Sequence, residues 1–264
     1  MARIFYFSGT GNSLAIAKRL AEGLEARLCS IPAYLEHPYA VPDAVVGFVS
    51  PVHCTELPPL VERFLQTVRF GPGTEYLFGV VDAGSVTGDA LGEAGNIIAK
   101  RRLPRLEMCA GFRILLPDGS ILFTTPGKRR QQMLDALDGQ LADIVSTVQR
   151  RGLNDRHRER NPVWMLGKKL GWPVLDGFFH VKERHVDASR CVGCGTCVQV
   201  CPVHCISLEN RLPVFGDGCA SCFGCAQWCP KQAISLGRLR PSADKQYHNP
   251  LVTASEMEEA GRQG

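Results

Sequence analysis

The sequence predicts an α/β protein in two parts: a doubly wound parallel sheet, then a small, cysteine-rich α+β domain. Up to about residue 152, short apolar runs alternate with segments of helical periodicity, as in parallel sheets covered by helices. From residue 185, eight of the chain's 12 cysteines fall in two closely spaced runs. The predicted boundaries are 1–152 for the sheet domain, 153–184 for a connector, 185–240 for the cysteine-rich domain and 241–264 for a tail.

The first predicted strand ends in a turn that has the composition of a phosphate site. Arg3–Phe7 is a short apolar run, and a helical pattern of apolar residues begins at Leu14. A glycine- and hydroxyl-rich turn between strand and helix directs backbone N–H groups inward, and the helix N-terminus adds partial positive charge. The turn lacks a P-loop lysine, and Leu14 stands where the dinucleotide fingerprint has its third glycine. The candidate phosphate ligands are Ser8, Gly9, Thr10, Gly11, Asn12 and Ser13.

The next elements continue the alternation of buried strands and helices. The predicted strands are Ala44–Val49, Tyr76–Val81 and Met108–Leu116, and the predicted helices are Leu60–Val68, Ala90–Arg101 and one long helix, Lys128–Arg150. Ligands of such sheets bind beyond the carboxyl ends of the strands, at the switch point. The loops after the strands are therefore expected around one cofactor. Their candidate residues are Ser50, Pro51, Val52, His53, Asp82, Ala83, Gly84 and Ser85.

Each cysteine run has the spacing Cys-x-x-Cys-x-x-Cys-x-x-x-Cys-Pro, which is typical of [4Fe-4S] clusters. In two-cluster proteins, the fourth cysteine of each run ligates the cluster of the other run. The first predicted ligand set is Cys191, Cys194, Cys197 and Cys229. The second is Cys219, Cys222, Cys225 and Cys201.

Other interpretations of the cysteines fit less well. A disulfide framework suits small secreted chains, and structural zinc favours pairs of cysteines separated by a longer gap. The remaining cysteines are Cys29, Cys54, Cys109 and Cys205. We expect these four to fill apolar core, because cysteine packs as a small buried hydrophobe.

Composition and charge exclude some functional classes. The formal charge of +4 would be cancelled by two oxidised clusters of about −2 each. No basic stripe with interleaved aromatics suggests nucleic-acid binding. No apolar stretch approaches the roughly 20 residues of a membrane helix, and no signal segment is recognised, so a cytoplasmic protein without membrane insertion is expected. The connector's apolar residues are predicted to pack between the domains or to form a docking surface: Trp164, Leu166, Leu170, Trp172 and Phe178.

Nearly the whole chain resembles the flavodoxin–ferredoxin fusion proteins, electron carriers of anaerobes often named ferredoxins of an EFR type. The resemblance rests on both cysteine runs and on Phe7–Ser13, Ser50–Val52, Leu57–Pro59, Leu116–Asp118 and Tyr247–Pro250. It implies a flavodoxin-like domain that holds FMN by the loop at 8–13, followed by a two-cluster ferredoxin domain. Where similar proteins place aromatic rings against the flavin, this sequence has His53 and Ala83. The loss of stacking is expected to raise the flavin's potential or weaken its binding, unless His53 stacks instead.

Two functional classes follow from this resemblance. The first is an electron carrier that converts between two-electron and one-electron partners, which would be redox proteins. The second is an enzyme in which the clusters feed a flavin that reduces a small substrate. No nucleophile–base motif appears in the sequence, which favours the carrier. Substrate-dependent turnover without a partner protein would favour the enzyme.

Overall fold

A computed structural model describes residues 1–103, 106–154, 177–180 and 182–263. Its N-terminal part contains a five-stranded parallel sheet with the strand order β2-β1-β4-β6-β7. The strands are β1 (Ala2–Tyr6), β2 (Ala26–Ser30), β4 (Val45–Pro51), β6 (Tyr76–Ala83) and β7 (Met108–Leu115), and the short β3 (Ala40–Val41) and β5 (Arg69–Phe70) pair beside it. When only the five strands of this sheet are numbered along the chain, their order is 2-1-3-4-5, the order of flavodoxin-like folds. The predicted fold class of the N-terminal domain is confirmed.

Helices cover both faces of the sheet. They are α1 (Asn12–Gly23), α2 (Ile31–Glu36), α3 (Pro59–Thr67), α4 (Ala90–Lys100), α5 (Gly127–Asp135) and α6 (Leu137–Gln149). Because successive side chains of a strand point to opposite faces, Ile4 and Tyr6 of β1 pack in the apolar cluster with α1 and α6. Phe5 packs in the other cluster, with α3 and α4. The carboxyl ends of the strands thus meet at one edge of a sheet buried on both faces.

Two features of this domain differ from the sequence-based prediction. The single helix predicted for Lys128–Arg150 is wrong, because the chain forms α5 and α6 with a break at Ala136. There ψ is −10°, far from the helical value of about −42°. Strand β2 was not predicted, because it is an edge strand whose first three residues are partly or largely exposed. Its sequence therefore lacks the continuous apolar run of a central parallel strand.

The C-terminal part is small and built around the cysteine runs. Its elements are β8 (Arg184–Val186), α7 (Thr196–Gln199), β9 (Ile206–Glu209), β10 (Leu212–Phe215), α8 (Gly224–Gln227), β11 (Ile234–Leu236) and α9 (Ala254–Gly261). Strands β9 and β10 form an antiparallel hairpin, and β8 pairs antiparallel with β11. One short helix, α7 or α8, lies within each cysteine run, so the sequence repeat is also a structural repeat.

The region predicted as a tail contains an ordered helix. Helix α9 begins with a capping box in which Thr253 and Glu256 satisfy each other's backbone N–H groups. The helix packs against α7 and β2. Trp228, Val252 and Met257 belong to the same apolar cluster as α1 and the sheet. The two parts of the chain therefore share one core.

Of the connector's five large apolar residues, the structure describes Phe178. Trp164, Leu166, Leu170 and Trp172 lie outside the described residues. Phe178 is 59% exposed, packs edge-to-face on the neighbouring ring of Phe179, and carries the guanidinium of Arg238 over its own ring. Within the described ranges, no helix has the length and apolar character needed to cross a bilayer.

Candidate functional site

A pocket of about 310 Å³ opens at the carboxyl edge of the parallel sheet. Its walls are the loops that follow β1, β4, β6 and β7, together with a segment of the second cysteine run, residues 221–223. The switch point of a 2-1-3-4-5 sheet lies between the strands numbered 1 and 3, which are β1 and β4 in this chain. The pocket therefore occupies the position where this fold binds ligands.

The loop after β1 presents Gly9, Thr10 and Asn12 to the pocket. Helix α1 starts directly after Gly11, whose φ of 93° requires the left-handed conformation that glycine adopts without strain. The backbone N–H of Gly11 donates to Ser8 Oγ over 3.1 Å. The first N–H groups of a helix have no intrahelical partner, so this loop can donate to an anion.

Ser13 has a different partner from the one predicted. Its hydroxyl donates to Asp82 Oδ2 over 2.5 Å, inside the protein, and Ser13 does not line the pocket. Burial raises the pKa of Asp82 to about 7, and the bond from Ser13 opposes this shift. Below pH 7 the carboxyl of Asp82 is therefore mostly protonated and adds little negative charge to the pocket. Of the loop's hydroxyls, that of Thr10 remains available to the pocket.

The loop after β4 brings His53 into the pocket. Burial lowers the pKa of His53 to about 4, so its imidazole is neutral at physiological pH. The following residues, Cys54 and Thr55, have φ values of 50° and 71°. Reciprocal backbone bonds between His53 and Glu56 close this turn. Pro51 and Val52 also line the pocket, whereas the fully buried Ser50 donates to the carbonyl of Pro51.

The third predicted loop, which follows β6, also faces the pocket. Asp82, Ala83, Gly84 and Ser85 all line the pocket. Gly84 has no room for a side chain, because a Cβ there would lie 2.4 Å from Asp118 Oδ2.

A fourth wall, the loop after β7, was not among the predicted site residues. Pro117 to Ser120, Leu122 and Phe123 line the pocket from this side. The carboxylate of Asp118 accepts from the backbone N–H of Ser120 over 2.6 Å, and the N–H of Asp118 donates to Thr125 Oγ1. Burial raises the pKa of Asp118. The sequence signal was the Leu116–Asp118 motif, a proline–aspartate turn directly after a buried strand.

The second cysteine run closes the remaining side of the pocket at Ser221, Cys222 and Phe223. The approach is very close. A Cβ added to Gly9 would lie 2.5 Å from the carbonyl oxygen of Cys222, and one added to Gly224 would lie 2.7 Å from the carbonyl oxygen of Gly9. Glycine is therefore required at both positions, because any side chain would separate the phosphate-type loop from the cysteine run.

Asn12 joins three segments that are distant in the sequence. Its Oδ1 accepts from the hydroxyl of Tyr247 over 2.8 Å and from Nδ2 of Asn249 over 2.9 Å. Its Nδ2 donates to the carbonyl of Pro117 over 2.9 Å. The side chain is only 6% exposed. Asn12 thus holds the C-terminal segment and the β7 loop against the first loop. The Tyr247–Pro250 motif had signalled the importance of this segment without indicating its role.

A tryptophan makes the second contact between the two parts. Trp228 Nε1 donates to the carbonyl of Gly9 over 3.1 Å, and its ring stacks on His248 with centroids 4.0 Å apart. The neighbouring Gln227 donates to the carbonyl of Gly119 over 2.7 Å. The residues directly before Cys229 therefore lie against two of the pocket's loops.

The four thiols of the first predicted ligand set line one small cavity: Cys191, Cys194, Cys197 and Cys229. Cys229 comes from the second cysteine run, as crossed ligation requires. The donor set fits a [4Fe-4S] cluster, which is held by four thiolates. Cys194 is exposed, and Cys197 and Cys229 are buried.

The thiols of the second set also include one from the other run. Burial, and after it the charges of Cys201 and Cys219, raise the pKa values of Cys222 and Cys225, so the four thiols lie close together. Cys205 lies beside them, with its Sγ 3.7 Å from Cys201 Sγ. Hydrogen bonds from Cys205 lower the pKa values of both Cys201 and Cys219.

Arg184, on β8, supplies positive charge to this second set. Its Nη2 lies 3.1 Å from Cys219 Sγ and 3.4 Å from Ser221 Oγ. In the part of the chain that the structure describes, no group of three or more His, Cys, Asp or Glu side chains is arranged to hold a single metal ion.

Comparison with known proteins identifies the iron–sulfur region. Residues 184–207 match the family described as a 4Fe-4S binding domain. A search of curated proteins found no match. The chain thus combines a flavodoxin-like fold with a 4Fe-4S binding domain, and this combination supports a redox role in electron transfer.

Solved structures with a similar fold include two flavoproteins and a larger oxidoreductase. A flavoprotein from Bacteroides eggerthii is 16% identical over 52% of this chain and 97% of its own, with a TM-score of 0.32. The FMN-bound flavodoxin of Fusobacterium nucleatum is 13% identical over 57% and 98%, with a TM-score of 0.36. Rubredoxin oxygen:oxidoreductase of Desulfovibrio gigas is 15% identical over 57% and 36%, with a TM-score of 0.33. At these values the similarities carry no argument about ligand or activity, and the fold assignment rests on the strand order.

Proposed function

We propose that this chain is an electron-transfer protein of the flavodoxin–ferredoxin fusion (EFR) type, which carries FMN and two [4Fe-4S] clusters. One observation carries the proposal: the pocket has a phosphate-type loop on one side and Cys222 on the other. A redox ligand in this pocket would touch the residue that holds the second cluster. Bound FMN exchanges two electrons singly, and each cluster exchanges one.

The residues of the pocket suit FMN in size and in chemistry. A volume of about 310 Å³ lies within the range of small-molecule sites, about 300–1,000 Å³. Thr10 lines the pocket, and the first N–H groups of α1 have no intrahelical partner, so we expect both to donate to the phosphate. The neutral His53, Val52 and Phe123 offer apolar contacts to a ring system.

The first experiment counts the cofactors after anaerobic purification. Two four-iron clusters predict about eight iron and eight acid-labile sulfide atoms per chain, and the pocket predicts one FMN. About four iron, or zinc in place of iron, would contradict the two-cluster proposal.

Thr10→Ala tests the phosphate contact. Loss of one hydrogen bond to a charged group costs roughly 1.5–3 kcal/mol, so FMN affinity should fall by at least tenfold. Thr10→Ser, which keeps the hydroxyl, is the matched control. Riboflavin that binds as tightly as FMN would contradict phosphate recognition by this loop.

The order of electron transfer is tested with two cysteines at the same position of their runs. The contact of Cys222 with the pocket supports direct exchange between the flavin and the second cluster. Cys219→Ala should therefore abolish flavin reduction by a one-electron donor to the clusters, whereas Cys191→Ala should leave the second cluster able to reduce the flavin. Equal effects of the two substitutions would contradict this order. In the full chain, the rate of flavin reduction by the clusters should not depend on protein concentration.

A further inference from the structure

The aromatic rings that line the pocket come from both parts of the chain. Within the described residues they belong to His53, Phe123 and Phe223. Phe223 lies between two cysteines of the second run, Cys222 and Cys225, and its side chain is half-buried. It is therefore the ring nearest in sequence to the thiols of the second cluster.

Phe223 adopts a backbone conformation that its side chain disfavours. Its φ is 64° and its ψ is 2°, in the left-handed region. A bulky residue there is a clear outlier, because its Cβ crowds the backbone. Such conformations persist only when the surroundings impose them, and they concentrate at functional sites.

The other cysteine run provides an internal comparison. The residue equivalent to Phe223 in the first run is Gly195, which follows Cys194 as Phe223 follows Cys222. Gly195 has almost the same conformation, with φ 78° and ψ −4°. Both residues precede the short helix of their run. The cysteine loop is thus formed with glycine at this position, so the phenyl ring at 223 has a purpose other than forming the loop.

We propose that Phe223 supplies an aromatic wall against which the ring system of the bound flavin packs. The inference rests on the proposed function. Aromatic rings gain energy from stacked or edge-to-face contact beyond the burial of their area. The residues that the loop after β6 offers to the pocket, Asp82 to Val86, include no aromatic ring, so Phe223 provides a ring that this loop lacks. The cysteine-rich part would therefore complete the flavin site as well as accept its electrons.

Phe223→Gly in the full chain separates this role from a role in packing. Glycine relieves the strained backbone but removes a ring that packs against the apolar cluster around Cys201 and Cys225, so the thermal midpoint should fall no more than in Phe215→Ala, whose ring packs against the same cluster. Iron content should stay at that of the unaltered chain. FMN affinity, measured by fluorescence titration, should fall about tenfold, and the visible circular dichroism of bound flavin should change. Phe223→Trp should restore affinity. Phe215→Ala is the control, because Phe215 is a half-buried ring of the same part that does not line the pocket.

Three outcomes would contradict the proposal in different ways. Unchanged FMN affinity in Phe223→Gly, with normal binding by the unaltered chain, overturns this inference alone. Loss of iron together with FMN shows that the ring serves packing around the second cluster, and also overturns it. If the unaltered chain binds no FMN, the proposed function fails, and this inference fails with it.

Discussion

The hydrogen bond between Tyr247 and Asn12 offers a quantitative test of how the two parts of the chain are joined. Asn12→Ala would remove three buried hydrogen bonds, to Tyr247, Asn249 and Pro117. Each buried polar group left without a partner costs about 1–3 kcal/mol, partly recovered by relaxation. We therefore expect the free energy of unfolding to fall by about 3–5 kcal/mol. Tyr247→Phe removes a single bond and should cost about 1 kcal/mol, because the ring keeps its contact with Arg130.

A double-mutant cycle isolates the bond itself. In the Asn12→Ala background, Tyr247→Phe should cost nothing or stabilise the chain, because the Tyr247 hydroxyl has lost its partner there, which gives a coupling energy of at least about 1 kcal/mol. The control is Tyr34→Phe, which removes a hydroxyl that donates to the carbonyl of Tyr39 over 2.9 Å and accepts from the N–H of Arg69. Its cost should be the same in both backgrounds, because residues without shared partners act additively. The assay is anaerobic urea unfolding followed by far-ultraviolet circular dichroism. An equal cost of Tyr247→Phe in both backgrounds would refute the contact.

The other predictions concern the clusters and Asp82. Arg184→Gln should lower the reduction potential of the second cluster by roughly 60 mV, the equivalent of about 1.4 kcal/mol for one electron. The potential of the first cluster should not change. Equal shifts of both potentials in anaerobic potentiometry would contradict this prediction. Cys201→Ala and Cys229→Ala should each halve the iron content. With crossed ligation, Cys229→Ala keeps the second cluster, so adding Arg184→Gln should shift the potential of the remaining cluster in that variant and not in Cys201→Ala. Burial raises the pKa of Asp82 to about 7 in the folded chain. Between the ordinary pKa of an aspartate and pH 7, the folded chain keeps this proton while the unfolded chain loses it. The contribution of Asp82 to stability therefore falls as the pH rises to about 7. Asp82→Asn should therefore stabilise the chain more at pH 8 than at pH 5, and thermal midpoints with equal gains at both values would count against the buried proton.

Much of the N-terminal fold was predictable because its signals are local. The apolar run of β1, the turn at 8–13 and the helical periodicity of α1 are adjacent in the sequence, and they predicted a strand, a tight turn and a helix. The break at Ala136 was not predictable in this way. Both halves of the predicted helix are amphipathic, no proline lies near the junction, and the nearest glycine, Gly139, lies inside the first turn of α6. The capping box at Thr253 was a readable signal for α9 that the sequence analysis did not use.

The candidate site shows the same division. The sequence by itself predicted which residues would carry the chemistry, because cysteine spacing and loop composition follow directly from what clusters and phosphates need. Only the tertiary structure decided that Cys222 and Phe223 form a wall of the pocket after β1. The contact from Tyr247 to Asn12 spans 235 residues, and the close approach of Gly9 to Cys222 depends on the packing of Trp228 into the shared core. Such contacts leave no periodic pattern in either segment, since each depends on the surface that the other segment presents once both have folded.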